Sequence, residues 1–330
     1  EPAVWTDNGH LQYAGDLNGN TCGGSSQSGS DAAVAMGMDR SAQKLVGMAY
    51  RDNDNNGSCE GNGDVVPMIW DATNGMRTLD YDPKQYWTRA NAISGNGRVV
   101  IGTSNLQQAW AWVDGGPRID LTTPTGNGDV NAINYDGSVV AMDTVDLDTY
   151  RGTGIVLWDA RSGSTDPGTF TNVDSLRYCT DVPFNNFWGE DQCANMTPEE
   201  AYDAAGTVPV SVFGVNDAGT VLIGRAGSFF TGFYGAIWVK DVGWMVMTDF
   251  LRKQGVVEAQ NFPIDNPMAI SGDGTTIMGG LAGASFTWLI DLHEVYVCKN
   301  GASIQTSFPD GLRTEIRDNG AQFGRCDFIN

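Results

Sequence analysis

Five segments of the chain repeat one pattern: an apolar residue, a turn rich in Ser, Asn, Asp and Gly, and a β-branched run whose closing position lies nine residues after the start. The copies run Met38-Asp39-Arg40-Ser41-Ala42 to Gly47, Ile93-Ser94-Gly95-Asn96-Gly97 to Gly102, Ile133-Asn134-Tyr135-Asp136-Gly137 to Met142, Val215-Asn216-Asp217-Ala218-Gly219 to Gly224, and Ile270-Ser271-Gly272-Asp273-Gly274 to Gly279. Asn-Gly and Asp-Gly steps supply the positive φ of a tight hairpin, so each copy predicts two antiparallel strands joined by a short turn. A third apolar stretch ending on Trp follows each hairpin, at Trp70, Trp112, Trp158, Trp238 and Trp288, and a fourth follows most of them. Four short strands in sequence order make one blade of a β-propeller.

The hairpins start 55, 40, 82 and 55 residues apart, so a unit of about 40 residues is enlarged by insertions. Ala3-Val4-Trp5 and Gly9 to Tyr13 read as the second half of a further copy, which strands from the far end of the chain would complete. The expectation is an all-β chain: a propeller of about six four-stranded blades, five to seven being compatible, over residues 1–292, with an insertion at 163–209. A small Cys-bracketed appendage follows at 293–330.

Glycine, at 43 of 330 residues, and short bursts of Val, Ile, Thr, Tyr and Trp agree with strands and tight turns. There are 40 acidic residues against 19 basic ones, and only 8 of the acids are Glu. The net charge of -21 argues against nucleic acid or an anionic membrane surface as a partner, and the excess of Asp suits turns and oxygen-ligand loops. No apolar run of about 18 residues is present, so no membrane insertion is expected. The six cysteines fall as local pairs, Cys22 with Cys59, Cys179 with Cys193 and Cys298 with Cys326. Six cysteines allow 15 connectivities, and this pairing closes the shortest loops. The absence of CxxC spacing and of nearby His favours disulfides over zinc, hence an exported protein whose signal peptide has been removed.

The repeat resembles the HAF repeat, a motif of bacterial secreted proteins in which a segment like AINxxGxVVG precedes an A-F-x-W strand and a strand ending in Asp-Leu. The matching segments are residues 92–102 with 109–112 and Asp120-Leu121, 214–224 with Ala236-Ile237-Trp238, and 269–279 with Phe286-Thr287-Trp288 and Asp291-Leu292. The resemblance implies fold and export, and no defined activity.

Asp52-Asn53-Asp54-Asn55-Asn56-Gly57-Ser58 reproduces the start of an EF-hand-type calcium loop, with oxygen ligands at alternate positions and Gly at the sharp bend. The expected ligands are Asp52, Asp54, Asn56, Ser58, Glu60 and Asp64; Gly63 stands where such a loop has its bidentate Glu. The alternative is a solvated Asn/Asp turn. Weaker oxygen clusters stand at Asp16, Asn18 and Asn20 and at Asp143, Asp146 and Asp148.

His10 and His293 are the only histidines, which leaves little material for a nucleophile-base pair. The insertion carries Tyr178, Phe187 and Trp188, with Trp110 and Trp244 outside the register of the repeat Trp residues; these five are the candidate ligand contacts. The competing reading makes the insert's aromatics its own small core. Within the insertion, Thr197 followed by Pro198, Glu199 and Glu200 predicts a capped helix start. The reading that results is a secreted or cell-surface binding module for a glycan or protein partner, stiffened by calcium and capable of self-association. The alternatives are a polysaccharide hydrolase or lyase working through paired carboxylates, and a structural subunit of a surface layer or filament.

Overall fold

The computed structural model describes residues 2–5, 11–14, 17, 33–50, 65–85, 87–104, 108–114, 116–121, 128–146, 151–159, 169–173, 176–184, 190–228, 232–257, 259, 264–280 and 287–329. Among these the chain is mostly β. A short pair, β1 (Ala3–Trp5) and β2 (Leu11–Tyr13), precedes four sheets of four strands each. The first comprises β3 (Val34–Met38), β4 (Lys44–Tyr50), β5 (Val65–Asp71) and β6 (Gly75–Thr78). The second holds β7 (Arg89–Ile93), β8 (Val99–Ser104), β9 (Gln108–Val113) and β10 (Arg118–Asp120). In the third are β11 (Val130–Ile133), β12 (Val139–Asp146), β13 (Arg151–Asp159) and β14 (Thr169–Val173), and the fourth contains β15 (Val210–Val215), β16 (Val221–Ser228), β17 (Gly232–Val239) and β18 (Gly243–Val246). The last repeat forms three strands, β19 (Asn266–Ile270), β20 (Thr276–Gly280) and β21 (Thr287–Asp291).

The strand order in every repeat sheet follows the sequence, as the repeat predicts. Among the described residues the expected sharing of one sheet by the two chain ends is not found: β1 and β2 pair with each other, while β22 (Glu294–Lys299) and β23 (Ala302–Ser307) join β24 (Gln322–Phe323) in a separate sheet. The far end is held by its own cross-links and core instead. Cys298 and Cys326 are bridged, and Gln254 satisfies Tyr296 in both directions, accepting from its N–H at 2.5 Å and donating to its carbonyl at 3.2 Å. The chain divides into two compact units, Glu1–Val140 with Trp158–Thr169 and Ala141–Leu157 with Phe170–Asn330.

The polar residue that opens each turn explains why the repeat needs Asp, Asn or Ser there. Its side-chain oxygen accepts from the backbone N–H five residues on: Lys44 to Asp39 at 2.8 Å, Val99 to Ser94 at 3.0 Å, Val139 to Asn134 at 2.9 Å, Val221 to Asn216 at 2.9 Å and Thr276 to Ser271 at 2.9 Å. The same residue's carbonyl accepts from the N–H three residues on, closing a β-turn inside the hairpin. That third residue is Gly97, Gly137, Gly219 or Gly274 at φ between 66° and 82°, but in the first copy it is Ala42 at φ 55°. A Cβ in the left-handed region costs about 1 kcal/mol. An Ala42→Gly chain is therefore expected to gain about 1 kcal/mol in urea denaturation, and a loss of stability would contradict the turn geometry.

Consecutive turns are also bonded to each other. In the first unit Arg40 N–H donates to Gly95 O at 3.0 Å and Asn96 N–H to Tyr135 O at 2.9 Å, while the Arg40 guanidinium lies 4.8 Å from the Tyr135 ring centroid. In the second, Asp217 N–H donates to Gly272 O at 2.8 Å.

The closing glycine answers to a β-bulge. In four sheets the first strand slips one residue relative to the second, beside Ala35 and Gly47, Ala90 and Gly102, Val212 and Gly224, and Pro267 and Gly279. The bulge pushes a first-strand carbonyl against the glycine: a Cβ there would lie 1.9 Å from Val34 O, 2.2 Å from Arg89 O, 2.4 Å from Ser211 O or 2.5 Å from Asn266 O. The same register corrects the Trp pattern. Trp70, Trp112 and Trp238 stand opposite Leu45, Val100 and Leu222, but Trp288 stands opposite Gly279, the register of Trp110 opposite Gly102. Both of these indoles cover the closing glycine, at 2.6 Å from the site of a Gly102 Cβ and 2.1 Å from that of Gly279.

Within each unit, neighbouring repeat sheets pack face to face. Val46 and Ile69 of the first sheet meet Ala90, Ile93, Val100 and Trp110 of the second. In the other unit Ile223 and Ile237 meet Ile277 and Trp288. That second core continues through α2 (Met247–Lys253) into Val295, Val297 and Phe308 and on to Leu312 of α3 (Asp310–Arg317). Phe250 of α2 lies edge-on to Phe308, with centroids 6.0 Å apart.

Candidate functional site

Of the five sequence-derived contact residues, three are described and all three are buried. Trp110, on β9, is fully buried over Gly102. Trp244, paired with Trp238 across β17 and β18, is buried too. The register argument, which set both outside the packing pattern, thus picked core residues. Tyr178 is buried with Leu176, Val182 and Val208, its ring 4.8 Å from Phe184, so the insert's aromatics behave here as a small core. Phe187 and Trp188 lie outside the described residues, as do Asp52, Asp54, Asn56, Ser58, Glu60, Asp64, Cys22 and Cys59. Of the weaker clusters, Asp143 and Asp146 fall within β12 and Asp148, Asp16, Asn18 and Asn20 outside the described residues. Among the described residues no three His, Cys, Asp or Glu side chains gather as metal ligands.

Two sequence expectations for the insert hold. Cys179 and Cys193 are bridged, and α1 (Pro198–Ala205) starts on a capping box in which Thr197 accepts from Glu200 N–H and Glu200 accepts from Thr197 N–H. The expected fourth strand of the third sheet, β14, lies inside the segment read as insertion. The third anticipated bridge, Cys298 to Cys326, is also formed.

A polar cluster that sequence reading missed gathers in the first unit, at the ends of β7, β8 and β9 remote from the repeat turns. Asn91 is the bulge residue of β7, and its Nδ2 lies 2.6 Å from Thr103 Oγ1, 2.7 Å from Val130 O and 3.0 Å from Asn131 Oδ1. The Val130 carbonyl can only accept, which fixes the amide's orientation and leaves Asn91 Oδ1 buried without a partner. Thr103 passes its own proton to Asp129 Oδ1 at 2.8 Å, and Asp129 faces Arg89 at 3.5 Å. On the other side of β8, Ser104 donates to Gln85 Oε1 at 2.7 Å, which also takes Arg118 Nη1 at 3.0 Å, while Gln85 Nε2 donates to Gln108 Oε1 at 2.7 Å. Thr103 and Ser104 are adjacent, so strand alternation sends one to each side and joins the two halves through β8.

Trp87, between Gln85 and Arg89 in the chain, is exposed and sits at φ 56°. A bulky side chain held in the left-handed region is strained by of order 1 kcal/mol or more, a cost that tends to persist where the position has a use. The cluster gathers planar amides, hydroxyls and one partly exposed cation-anion pair that hydrogen-bond to one another in fixed directions, and exposed Trp87 lies two residues along the chain from both Gln85 and Arg89. The two carboxyls held lowest lie elsewhere and serve turns. Asp273 is lowered to about 2 by hydrogen bonds from Ser271 and Thr275, and Asp71 is also held at about 2, where bonds from Asn74 and Arg77 outweigh the opposing effect of burial.

The sequence signal that would have found the cluster is the bulge position itself. It is Met36, Phe213 and Met268 in three copies but Asn91 in the second, and the third has Asn131 at the aligned place.

No family model and no curated protein matches the chain. Among solved structures, it is similar to TolB from Acinetobacter baumannii at 9% identity and a TM-score of 0.43, over 84% of this chain and 52% of that one. It is similar at 10% identity and a TM-score of 0.46 to a TolB homologue from Agrobacterium tumefaciens, over 84% of this chain and 82% of that one. The chain thus spans about half the length of the first.

Proposed function

We propose that this chain is an exported, propeller-type binding module whose ligand is a glycan, taken at the Gln85–Arg89–Asn91–Thr103–Asp129 cluster beside Trp87. The reading is supported by a directional network of amides and hydroxyls that is close in the chain to exposed Trp87 at positive φ. A sugar ring offers hydroxyls that both donate and accept, and an apolar face that stacks on an aromatic ring. The two bridges, Cys179–Cys193 and Cys298–Cys326, support an oxidising compartment.

Isothermal titration against a panel of neutral and acidic oligosaccharides tests the reading. A Trp87→Ala chain is expected to bind at least tenfold more weakly with its thermal midpoint kept, since the ring is exposed. Absence of binding across the panel, or equal binding by Trp87→Ala, would sink the assignment.

Calcium at residues 52–64 belongs to the same proposal, the ion stiffening the insertion between β4 and β5. Chelation is expected to lower the thermal midpoint and calcium to restore it, as binding to the native state alone requires. An unchanged midpoint with no metal in elemental analysis would dismiss it.

A further inference from the structure

The bridges Cys179–Cys193 and Cys298–Cys326 differ in what holds their sulfurs together besides the bond itself. Cys298 sits on β22, opposite Ser303 of β23 and Gln322 of β24. Its partner Cys326 donates its N–H to Ser303 Oγ at 3.0 Å. The two residues before it are tied as well, Gly324 N–H to Tyr296 O at 3.0 Å and Arg325 N–H to Lys253 O at 2.8 Å. With the S–S bond cut, the sheet still presents Cys326 to Cys298, so the two thiols keep a high effective concentration and reclose readily.

Cys179 and Cys193 lack such a frame. Among the described residues, Gln192 N–H donates to Phe184 O at 2.7 Å, Cys193 N–H to Asp191 Oδ1 at 2.8 Å and Asn195 N–H to Gln192 O at 3.1 Å. All three acceptors lie between the two cysteines, inside the loop that the bridge closes. Cys179, in a turn closed by its N–H to Val182 O at 2.8 Å, holds φ 63°, and it is the one bridged cysteine among the described residues in the left-handed region. That conformation is costly for a residue with a Cβ. Opening the bridge lets Cys179 leave it, and reclosing has to restore it. All four cysteines are half-buried, so access to sulfur does not separate the bridges.

We infer that Cys179–Cys193 is a redox latch on the insert, opened by a dithiol reductant at potentials that leave Cys298–Cys326 closed. The step is a thiol–disulfide exchange. A thiolate of the reductant attacks Cys179 Sγ and forms a new S–S bond there, while the Cys179–Cys193 bond breaks with its electron pair going to Cys193. Phe184 N–H donates to Cys193 Sγ at 3.2 Å and stabilises it as the leaving thiolate, which sets the direction of attack. Glu190 and Asp191, next to Cys193 in the chain, oppose a lasting negative charge, so the released sulfur takes up a proton. The second thiol of the reductant then displaces Cys179 and closes the reductant's own disulfide; two electrons and two protons end on the protein's two thiols. Residues 177–195 are what the latch frees, together with the contact of the Tyr178 and Phe184 rings. The base of the segment stays fastened by Val208 N–H to Leu176 O at 3.0 Å, and α1 keeps its own capping box.

Equilibrating the full chain in buffers of graded reduced-to-oxidised dithiothreitol, then quenching in acid, alkylating and mapping peptides, reads each cysteine separately. Cys179 and Cys193 are expected to be half-reduced at a ratio roughly tenfold or more below that needed for Cys298 and Cys326. Brief exposure to glutathione, a monothiol, is expected to leave its mixed disulfide on Cys179. At a ratio that opens this bridge alone, hydrogen exchange should rise over residues 177–195 and stay unchanged over 197–206. Coincident or reversed midpoints would overturn the latch, glutathione on Cys193 would overturn the direction of attack, and unchanged exchange after reduction would overturn the release. None of these readouts depends on glycan binding, so the two proposals fail separately.

Discussion

Replacing Gly102 by alanine is expected to destabilise the chain by about 3 kcal/mol or more, read as a shift of the urea midpoint at unchanged slope. The added Cβ would lie 2.2 Å from Arg89 O and 2.6 Å from Trp110 Cζ2. Neither neighbour can yield cheaply. Arg89 O is held forward by the bulge at Asn91, and Trp110 is fully buried against Ile93 and Val100. Moving the strand instead would break the Asn91 bonds to Thr103 and Val130, so the polar cluster should loosen with the core. A Gly116→Ala chain is the control, because its Cβ meets only Val113 O at 3.0 Å. A loss below about 1 kcal/mol at Gly102 would mean that the bulge relaxes freely and that the closing glycine has another cause.

The second large effect is expected from replacing both Cys298 and Cys326 by serine. The bridge closes a separation of 28 residues, and opening a loop of that size costs about 3 to 4 kcal/mol through the unfolded chain. Locally, the bridge holds η1 (Cys326–Phe328) to β22, where the Arg325 guanidinium lies 5.1 Å from the Tyr296 ring and 5.8 Å from the Phe328 ring, and where β24 pairs with Val297 and Cys298. Hydrogen exchange should therefore rise first in residues 294–329 of the double serine variant. Exchange that rises uniformly, with no lowering of the thermal midpoint, would show that the segment is held by its core contacts alone.

What the sequence makes legible here follows the specificity of the chemistry. An oxygen that must accept from the N–H five residues ahead restricts a position to Asp, Asn or Ser, and those residues recur at Asp39, Ser94, Asn134, Asn216 and Ser271. A capping box is equally narrow, and Thr197 with Glu200 forms as expected. Trp register is not narrow, because strand side chains repeat every two residues and Trp110 and Trp112 both satisfy that period. Only the partner strand, with Gly102 opposite one and Val100 opposite the other, separates the fully buried Trp110 from the partly buried Trp112. The polar cluster was hidden for a different reason. Gln85, Asn91, Thr103 and Asp129 are spread over two strands and two loops, and nothing local marks them until the bulge aligns Asn91 with Met36.

The bonds between neighbouring turns constrain how the gene can change length. The connection between first and second strands is five residues in all five repeats, since a turn one residue longer would lose its hold on Gly95, Tyr135 or Gly272. The connection between second and third strands runs from three residues, at 105–107, to fourteen, at 51–64. Insertions and deletions are thus filtered by position: the connection between first and second strands is closed to them and the connection between second and third strands stays open. The second-to-third connection, which varies, leaves each sheet at the end where the Asn91 cluster lies in the second repeat, so that end can acquire surface without disturbing the bonded turns.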